Sequence, residues 1–177
     1  MSQPRPPFTA TPVSLSGKRV RLDPLSRIHA ADLLEAGTDA AIWTYLPRPA
    51  FRDAADAQAW IDQAAAEVAA GRQVAYAIVD LLNGRAVGST RYLDIRPGDR
   101  GIEIGWTWLS TGAQRTAINT ESKYLLFEHA FERLGAARVQ LKTDGRQYSS
   151  PSRHIKGRCR PRRGAAAPHG CLGWVCS

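Results

Sequence analysis

The chain has 177 residues, is 44% hydrophobic and 23% charged, and carries a formal net charge of +8. That length fits a single domain able to build a core without disulfides, and no apolar run approaches the ~20 residues of a membrane span. The charge is a poor guide to partners, because residues 146–177 hold seven of the 24 Lys and Arg and none of the 16 Asp and Glu, which leaves the remainder almost neutral.

Residues 1–17 are Pro-rich with no apolar h-region, so they read as a flexible arm rather than a secretory signal. Residues 1–145 contain no cysteine, so nothing suggests an oxidising compartment, and a cytoplasmic protein is the default expectation. Lys18–Leu25 alternates Val20 and Leu22 with charged residues, as a half-buried strand does. Ser26 is placed to cap a short helix that stops at Gly37. Ala41–Phe51 is aromatic and broken by proline, a loop or single turn. Asp53 opens an Ala-rich helix with Trp60, Ile61 and Val68 on its apolar side, ending at Gly71. Gln73–Leu81 is a strand, Asn83-Gly84 is a two-residue hairpin signal, and Arg85–Ile95 is the returning strand. After a turn at 97–100, Gly101–Leu109 forms the third strand of the meander. Its alternation puts Ile102, Ile104, Trp106 and Trp108 on one face and Glu103, Gly105 and Thr107 on the other. A polar loop follows, then a helix to about Leu134 with Tyr124, Phe127, Phe131 and Leu134 at helical spacing. Ala137–Asp144 is a last strand. The order is β-α-α-β-β-β-α-β, and beyond Arg146 both periodicities are lost.

The strand–loop–helix at 101–134 aims backbone N–H groups, backed by the positive end of a helix dipole, at one point where a pyrophosphate would fit. A plain strand-to-helix connection would look much the same. Three stretches, Asn83–Ile95 (NGRAVGSTRYLDI), Glu103–Leu109 (EIGWTWL) and Ala113–Asp144, resemble the GNAT superfamily of N-acetyltransferases, and most closely its ribosomal-protein-alanine N-acetyltransferase branch. The resemblance covers about Arg19 to Arg146. It implies an α/β (α+β) GNAT fold: a mixed, mostly antiparallel sheet with helices on both faces, in a domain spanning 18–146. It also implies acetyl-CoA as co-substrate, no metal, and transfer of an acetyl group to a primary amine, either a protein N-terminus or a small molecule. A non-catalytic acyl-CoA binder is the alternative.

The family's Q/R-x-x-G-x-G/A loop falls on Gln114, Arg115, Thr116, Ala117, Ile118 and Asn119, followed by Thr120. Ala117 stands where the branch has glycine, so a methyl group there is expected to crowd the phosphate or to demand an unfavourable φ. Backbone N–H groups near Trp108 and Leu109 are implied to stabilise the oxyanion. Glu103 is the candidate base, acting through water; the other reading pairs it with Arg91 across the sheet. Trp43 and Tyr45 lie where the family walls its acceptor site, though core packing would explain them equally. His29 and His129 read as surface or satisfied residues, and Asp53, Asp56 and Glu67 as capping or solvated helix charges.

The tail, 147–177, allows three readings. His154, Cys159, His169, Cys171 and Cys176 could ligate zinc, but the spacings lack C-x2-C and H-x3–5-H. RCRPRR could neutralise phosphates of a nucleic acid. Third, the back-translated tail read one base later admits Asn at Gln147. It also admits K-A-G-A-V-R-E-G-V-L-R-R-H-M over Lys156–His169 and V-A-W-D-G-Y-V over Gly170–Cys176. These strings resemble the helix end and last two strands of the same branch, so the tail is expected to be an out-of-frame translation. The C-terminal helix and strands would then be missing, and the strand at Ala137–Asp144 would be left as an exposed, aggregation-prone edge.

Overall fold

The computed structural model describes residues 7–144 together with Cys159–Pro161 and Cys171–Cys176. Strands β1 (Leu15–Ser16), β2 (Val20–Pro24), β3 (Val74–Asp80), β4 (Arg85–Arg96), β5 (Gly101–Leu109), β6 (Arg138–Asp144), β7 (Cys159–Pro161) and β8 (Cys171–Cys176) form one sheet. Their order is β1-β2-β3-β4-β5-β6-β8-β7. Every pairing is antiparallel except β5 with β6. Helices α1 (Ala30–Ala36) and α2 (Ala54–Ala69) pack on one face and α3 (Ala117–Glu128) on the other. This is the mixed α/β architecture read from the sequence.

Local chemistry explains most boundaries. The Asp53 carboxylate caps α2 by accepting from the Asp56 amide at 2.8 Å. Ser26 and His29 form a reciprocal cap on a single 3-10 turn, which runs into α1. On α3, Thr116 Oγ1 accepts from the Ile118 amide at 3.2 Å. The helix expected to reach Leu134 continues past Glu128 as a wider π-helical turn over His129–Arg133. The hairpin at Asn83-Gly84 is longer than a two-residue turn: it runs from the end of β3 at Asp80 to Arg85, with the Gly84 amide on the Asp80 carbonyl at 2.8 Å.

Two cores flank the sheet. On the α3 side, Val20, Leu22, Tyr76, Ile78, Tyr92, Ile102 and Ile104 meet Ile118, Leu125 and Leu126. Each such side chain withdrawn from water contributes roughly 1.5–3 kcal/mol. Tyr92 also donates to the Leu126 carbonyl at 2.5 Å, tying β4 to α3. At the helix's start, Glu121 accepts the amides of Lys18 and Arg19 at 2.7 and 2.9 Å. On the opposite face, Trp43, Phe51, Trp60 and Trp108 form an aromatic cluster with Leu33, Ile61 and Val79.

The structure differs from the sequence reading in three places that matter. Residues 7–17 do not hang free: Phe8 is buried in the α3-side core and Leu15–Ser16 pairs with β2. The four residues expected on one face of β5 are divided, because Ile102 and Ile104 lie in the α3-side core and Trp108 in the aromatic cluster opposite. Finally, strands are present in the tail. β8 runs antiparallel along β6 from Val139↔Cys176 to Asp144↔Cys171, and β7 pairs with β8. The expectation that β6 ends as a bare edge is therefore corrected: backbone pairing with β8 covers it. Residues 145–158, where the family would carry its next helix, lie outside the described residues.

Candidate active site

Alternation along β5 breaks at Trp106, which sits in the left-handed region at φ +50°. Arg91 faces Gly105 and Ser89 faces Trp108, so two residues, Trp106 and Thr107, oppose Thr90 alone. This is a β-bulge; it resets the parity of the strand and explains why Trp108 crosses to the other core. Holding a non-glycine residue there costs roughly 1–2 kcal/mol, a local strain that marks functional sites more often than ordinary strand.

The bulge stands where the sheet opens. β5 and β6 pair from Gly101↔Arg138 to Ile104↔Leu141 and then part. β6 continues along β8, whereas Gly105–Leu109 has β4 on one side and no partner strand on the other among the described residues. Burial follows the same line: Gly105, Trp106 and Thr107 are partly exposed between buried stretches on either side. An extended ligand with amide groups could pair with this edge as a strand would.

The loop after β5 carries the second half of the site. Arg115 adopts φ +59°, which turns the chain sharply into α3. No acceptor among the described residues takes the amides of Arg115, Thr116 or Ala117. Amides without acceptors at a helix start are suited to an anion, and Arg115 in the same loop is exposed. Gln114 has a different task from the one its position implied. Its side chain donates to the Leu109 carbonyl at 3.0 Å and fastens the loop to the end of β5. Ile118 is buried and anchors the helix, while Ala117, Asn119 and Thr120 are exposed on its first turn. The strain expected at Ala117 is absent: Ala117 is a right-handed helical residue, and Arg115 holds the left-handed position.

Glu103 is buried on the α1/α2 side of β5 and leans over Gly105, where a Cβ would lie 3.3 Å from its Oε1. Arg91, the partner considered for it, donates instead from Nη1 to Gln73 Oε1 at 3.2 Å. Trp43 is enclosed, with Nε1 on the Gly37 carbonyl at 2.8 Å and its ring against Trp108 and Phe51. It backs the aromatic cluster and does not face solvent. Tyr45 is 40% exposed. Thr111 donates to Asp39 at 2.7 Å, linking the loop after β5 to the 3-10 turn at Ala40–Trp43. The Leu15, Leu125, His129 and Arg133 cleft beside β1 shares no lining residue with the opening.

Sequence reasoning overlooked the two cations beside the bulge. Arg91 appeared only as a partner for Glu103, and Lys123 not at all. Lys123 reaches from α3 to Thr107 and its Nζ donates to Oγ1 at 2.5 Å. Its position on the strand-facing side of α3 was legible; its partner was not.

The family model for the acetyltransferase (GNAT) domain matches residues 19–152. The chain belongs to the GNAT acetyltransferases. Among solved structures, an acetyltransferase from T. thermophilus is 30% identical, with 76% of this chain and 69% of that one covered at a TM-score of 0.67. A GCN5-related N-acetyltransferase from Brucella melitensis is 20% identical over 98% of this chain and 81% of that one, at a TM-score of 0.78. A protein described as a ribosomal-protein-serine acetyltransferase from Vibrio cholerae is 16% identical over 94% and 98%, at a TM-score of 0.72. None of the curated proteins matches. The GNAT acetyltransferase family uses acetyl-CoA as co-substrate, and the open strand edge together with the amides at the start of α3 is of a chemistry that fits such a molecule. Among the described residues no helix is long and apolar enough to cross a membrane. His154 and His169 of the zinc reading lie outside the described residues.

Proposed function

We propose that this GNAT acetyltransferase is an N-acetyltransferase acting in the cytoplasm on a primary amine, either a protein N-terminus or a small molecule. The observation that carries the proposal is the parting of β5 from β6 at the Trp106 bulge, with the start of α3 beside it. The amides of Arg115, Thr116 and Ala117 would hold the pyrophosphate of acetyl-CoA, with Asn119 and Thr120 at the rim. The edge of Gly105–Leu109 would take its extended arm. Bound acetyl-CoA supplies the activated acetyl group.

The rest is done by the chain. The acceptor amine must be neutral to attack, and Glu103, on the α1/α2 face beside Gly105, would take its proton through a water. The attack puts negative charge on the carbonyl oxygen, and a backbone N–H near Trp108 or Leu109 would receive it. The C–S bond then breaks and the sulfur leaves as a thiol after protonation. Tyr45, exposed near this face, would border the acceptor.

The test is release of free thiol from acetyl-CoA with a panel of primary amines and N-terminal peptides. Turnover that falls about 100-fold in Glu103→Gln while acetyl-CoA still raises the melting temperature supports the roles given. Binding without thiol release from any amine would leave an acyl-CoA-binding protein instead. The resemblance of Glu103–Leu109 and Ala113–Asp144 to the ribosomal-protein branch makes a protein N-terminus one of the two acceptor classes, and N-terminal peptides in the panel address it.

We also propose that residues from about 147 are read out of frame, supported by the shifted-frame strings and by a tail with six basic residues and no acid. DNA sequence across Arg146–Ser177 decides this; a stop codon in the shifted frame would refute it.

A further inference from the structure

Among the described residues, Arg91 is a buried arginine without a carboxylate. It lies on β4 directly opposite Gly105, next to the bulge, and is 6% exposed. Its guanidinium carbon stands 4.8 Å from the ring centroid of Trp60 and 5.1 Å from that of Trp106, so it lies against two indoles. Nη1 is occupied by Gln73. Among the described residues Nε is enclosed and has no acceptor, and Nη2 makes no hydrogen bond and is not among the sealed atoms. The neighbouring charges do not complete it. Glu67 acts on it only at a distance and is engaged by Arg72 at 2.6 and 2.7 Å, while Arg48 adds a second positive charge. Burial draws the guanidinium down to about 10, so it stays protonated at neutral pH.

A buried cation lacking a partner is costly, and orphaned polar groups in a folded protein call for an explanation. The pattern of occupied and vacant atoms supplies one. Nε and Nη2 form one edge of the guanidinium, the edge that grips a carboxylate with two parallel hydrogen bonds. The indole N–H groups of Trp60 and Trp108 are likewise enclosed without acceptors in the same aromatic cluster. Arg91 also shares its face of the sheet with Glu103. The two flank Gly105 as diagonal neighbours, a spacing of about 7–8 Å across a strand pair. An amine delivered to Glu103 would put a carboxylate a few atoms away beside Arg91.

We infer that Arg91 reads a carboxylate on the acceptor, so that the substrate class is a primary amine bearing a carboxylate a few atoms from its nitrogen. The inference rests on the acetyl-transfer reading. The chemistry is shared by free amino acids and by peptides with an acidic residue near the N-terminus.

The experiment compares matched pairs of acceptors with the full chain: an amino acid against its carboxamide, and a peptide with Glu in its second position against the Gln peptide. The carboxylate member of at least one pair is expected to be preferred about tenfold in kcat/KM, mostly through KM. The preference should collapse to within about twofold in Arg91→Gln, whereas Arg91→Lys, which keeps the charge but not the fork, keeps part of it. Which pair shows the effect distinguishes the two sources. Equal use of charged and neutral members by the unmodified protein would overturn the inference. Should no amine be acetylated, the acetyl-transfer reading fails and a second measurement still judges Arg91. Succinate, compared with succinamide at matched ionic strength, should raise the melting temperature of the parent but not of Arg91→Gln. An equal shift in both proteins would overturn the inference. Retention of the acetyl-CoA-induced shift in Arg91→Gln verifies that the variant is folded.

Discussion

Lys123 on α3 donates to Thr107 Oγ1 at 2.5 Å, and that hydroxyl is 2.8 Å from Thr90 Oγ1, so one short chain of polar atoms links α3 to β5 and β4 on the α3 face at the bulge. The residue keeps part of its stem exposed while its amine end is closed in by protein, with no charge acting on it. Burial alone draws its pKa down to about 7. The unfolded chain holds that proton up to the ordinary lysine value of about 10.4. Between those limits the unfolded state binds more protons, so stability rises with pH from about 7, by at most about 1.4 kcal/mol per unit. Below pH 7 both states are protonated and the full cost of the buried cation is present. Lys123→Met should therefore raise the melting temperature most at pH 6–7 and flatten the slope above it. Urea titrations at a series of pH values measure both; an unchanged slope would mean that Lys123 titrates as an ordinary surface amine.

Arg115 places an unbranched but bulky side chain at φ +59° where the loop enters α3. Glycine reaches that conformation without a steric penalty. Arg115→Gly should stabilise the apo protein by about 0.5–1 kcal/mol through relieved strain, offset in part by the freer unfolded chain. It should also weaken acetyl-CoA binding several-fold if, as proposed, this loop holds the pyrophosphate, because a positive charge is removed there. Melting curves with and without acetyl-CoA separate the two effects: the apo curve moves up and the ligand-induced shift shrinks. Ala117→Gly should do neither, since Ala117 is already right-handed and exposed.

Gly88 on β4 faces Leu109, and a Cβ there would stand 2.2 Å from the Trp108 carbonyl oxygen. That obstacle is backbone, which cannot swing aside as the end of a side chain can. Gly88→Ala should push β4 from β5 just beyond the bulge, costing about 1–3 kcal/mol. It should also displace the amides near Trp108 and Leu109, so turnover should fall more than acetyl-CoA affinity. Parallel measurement of melting temperature, thiol release and acetyl-CoA binding checks this ordering.

What could be read from the residues was whatever short-range chemistry controls. The Asp53 cap, the stop at Gly37, and the alternation of Val20 and Leu22 on β2 each depend on neighbours a few positions away, and each appears in the structure. Glu103 was legible as a strand residue of the α1/α2 face for the same reason. The bulge was not. Trp106 has no local mark of a left-handed residue, and unbroken alternation put Trp108 on the wrong face. Arg91 shows the other limit: its role depends on Trp60, delivered by α2 from a distant part of the chain. The resemblance led to strain being expected at Ala117, whereas the left-handed residue at the turn into α3 is Arg115, just ahead of the Thr116 cap.

The tail makes a prediction of its own. β8 runs along β6 from Val139↔Cys176 to Asp144↔Cys171 and is thus the only described neighbour of β6 on that side. A chain ending at Arg146 would leave those backbone groups as an open edge beside Val139, which is fully buried. Such an edge recruits other chains. The truncated protein should melt several degrees lower and show a concentration-dependent rise in apparent mass by light scattering, while the full chain does not. If residues from about 147 are out of frame, a chain carrying the restored frame should melt higher than the present one. Its strand would pair with β6 through a sequence selected for that place. If the truncated and present chains melt together, the tail contributes no strand to the sheet, and the restored-frame chain becomes the form in which acetyl transfer is to be judged.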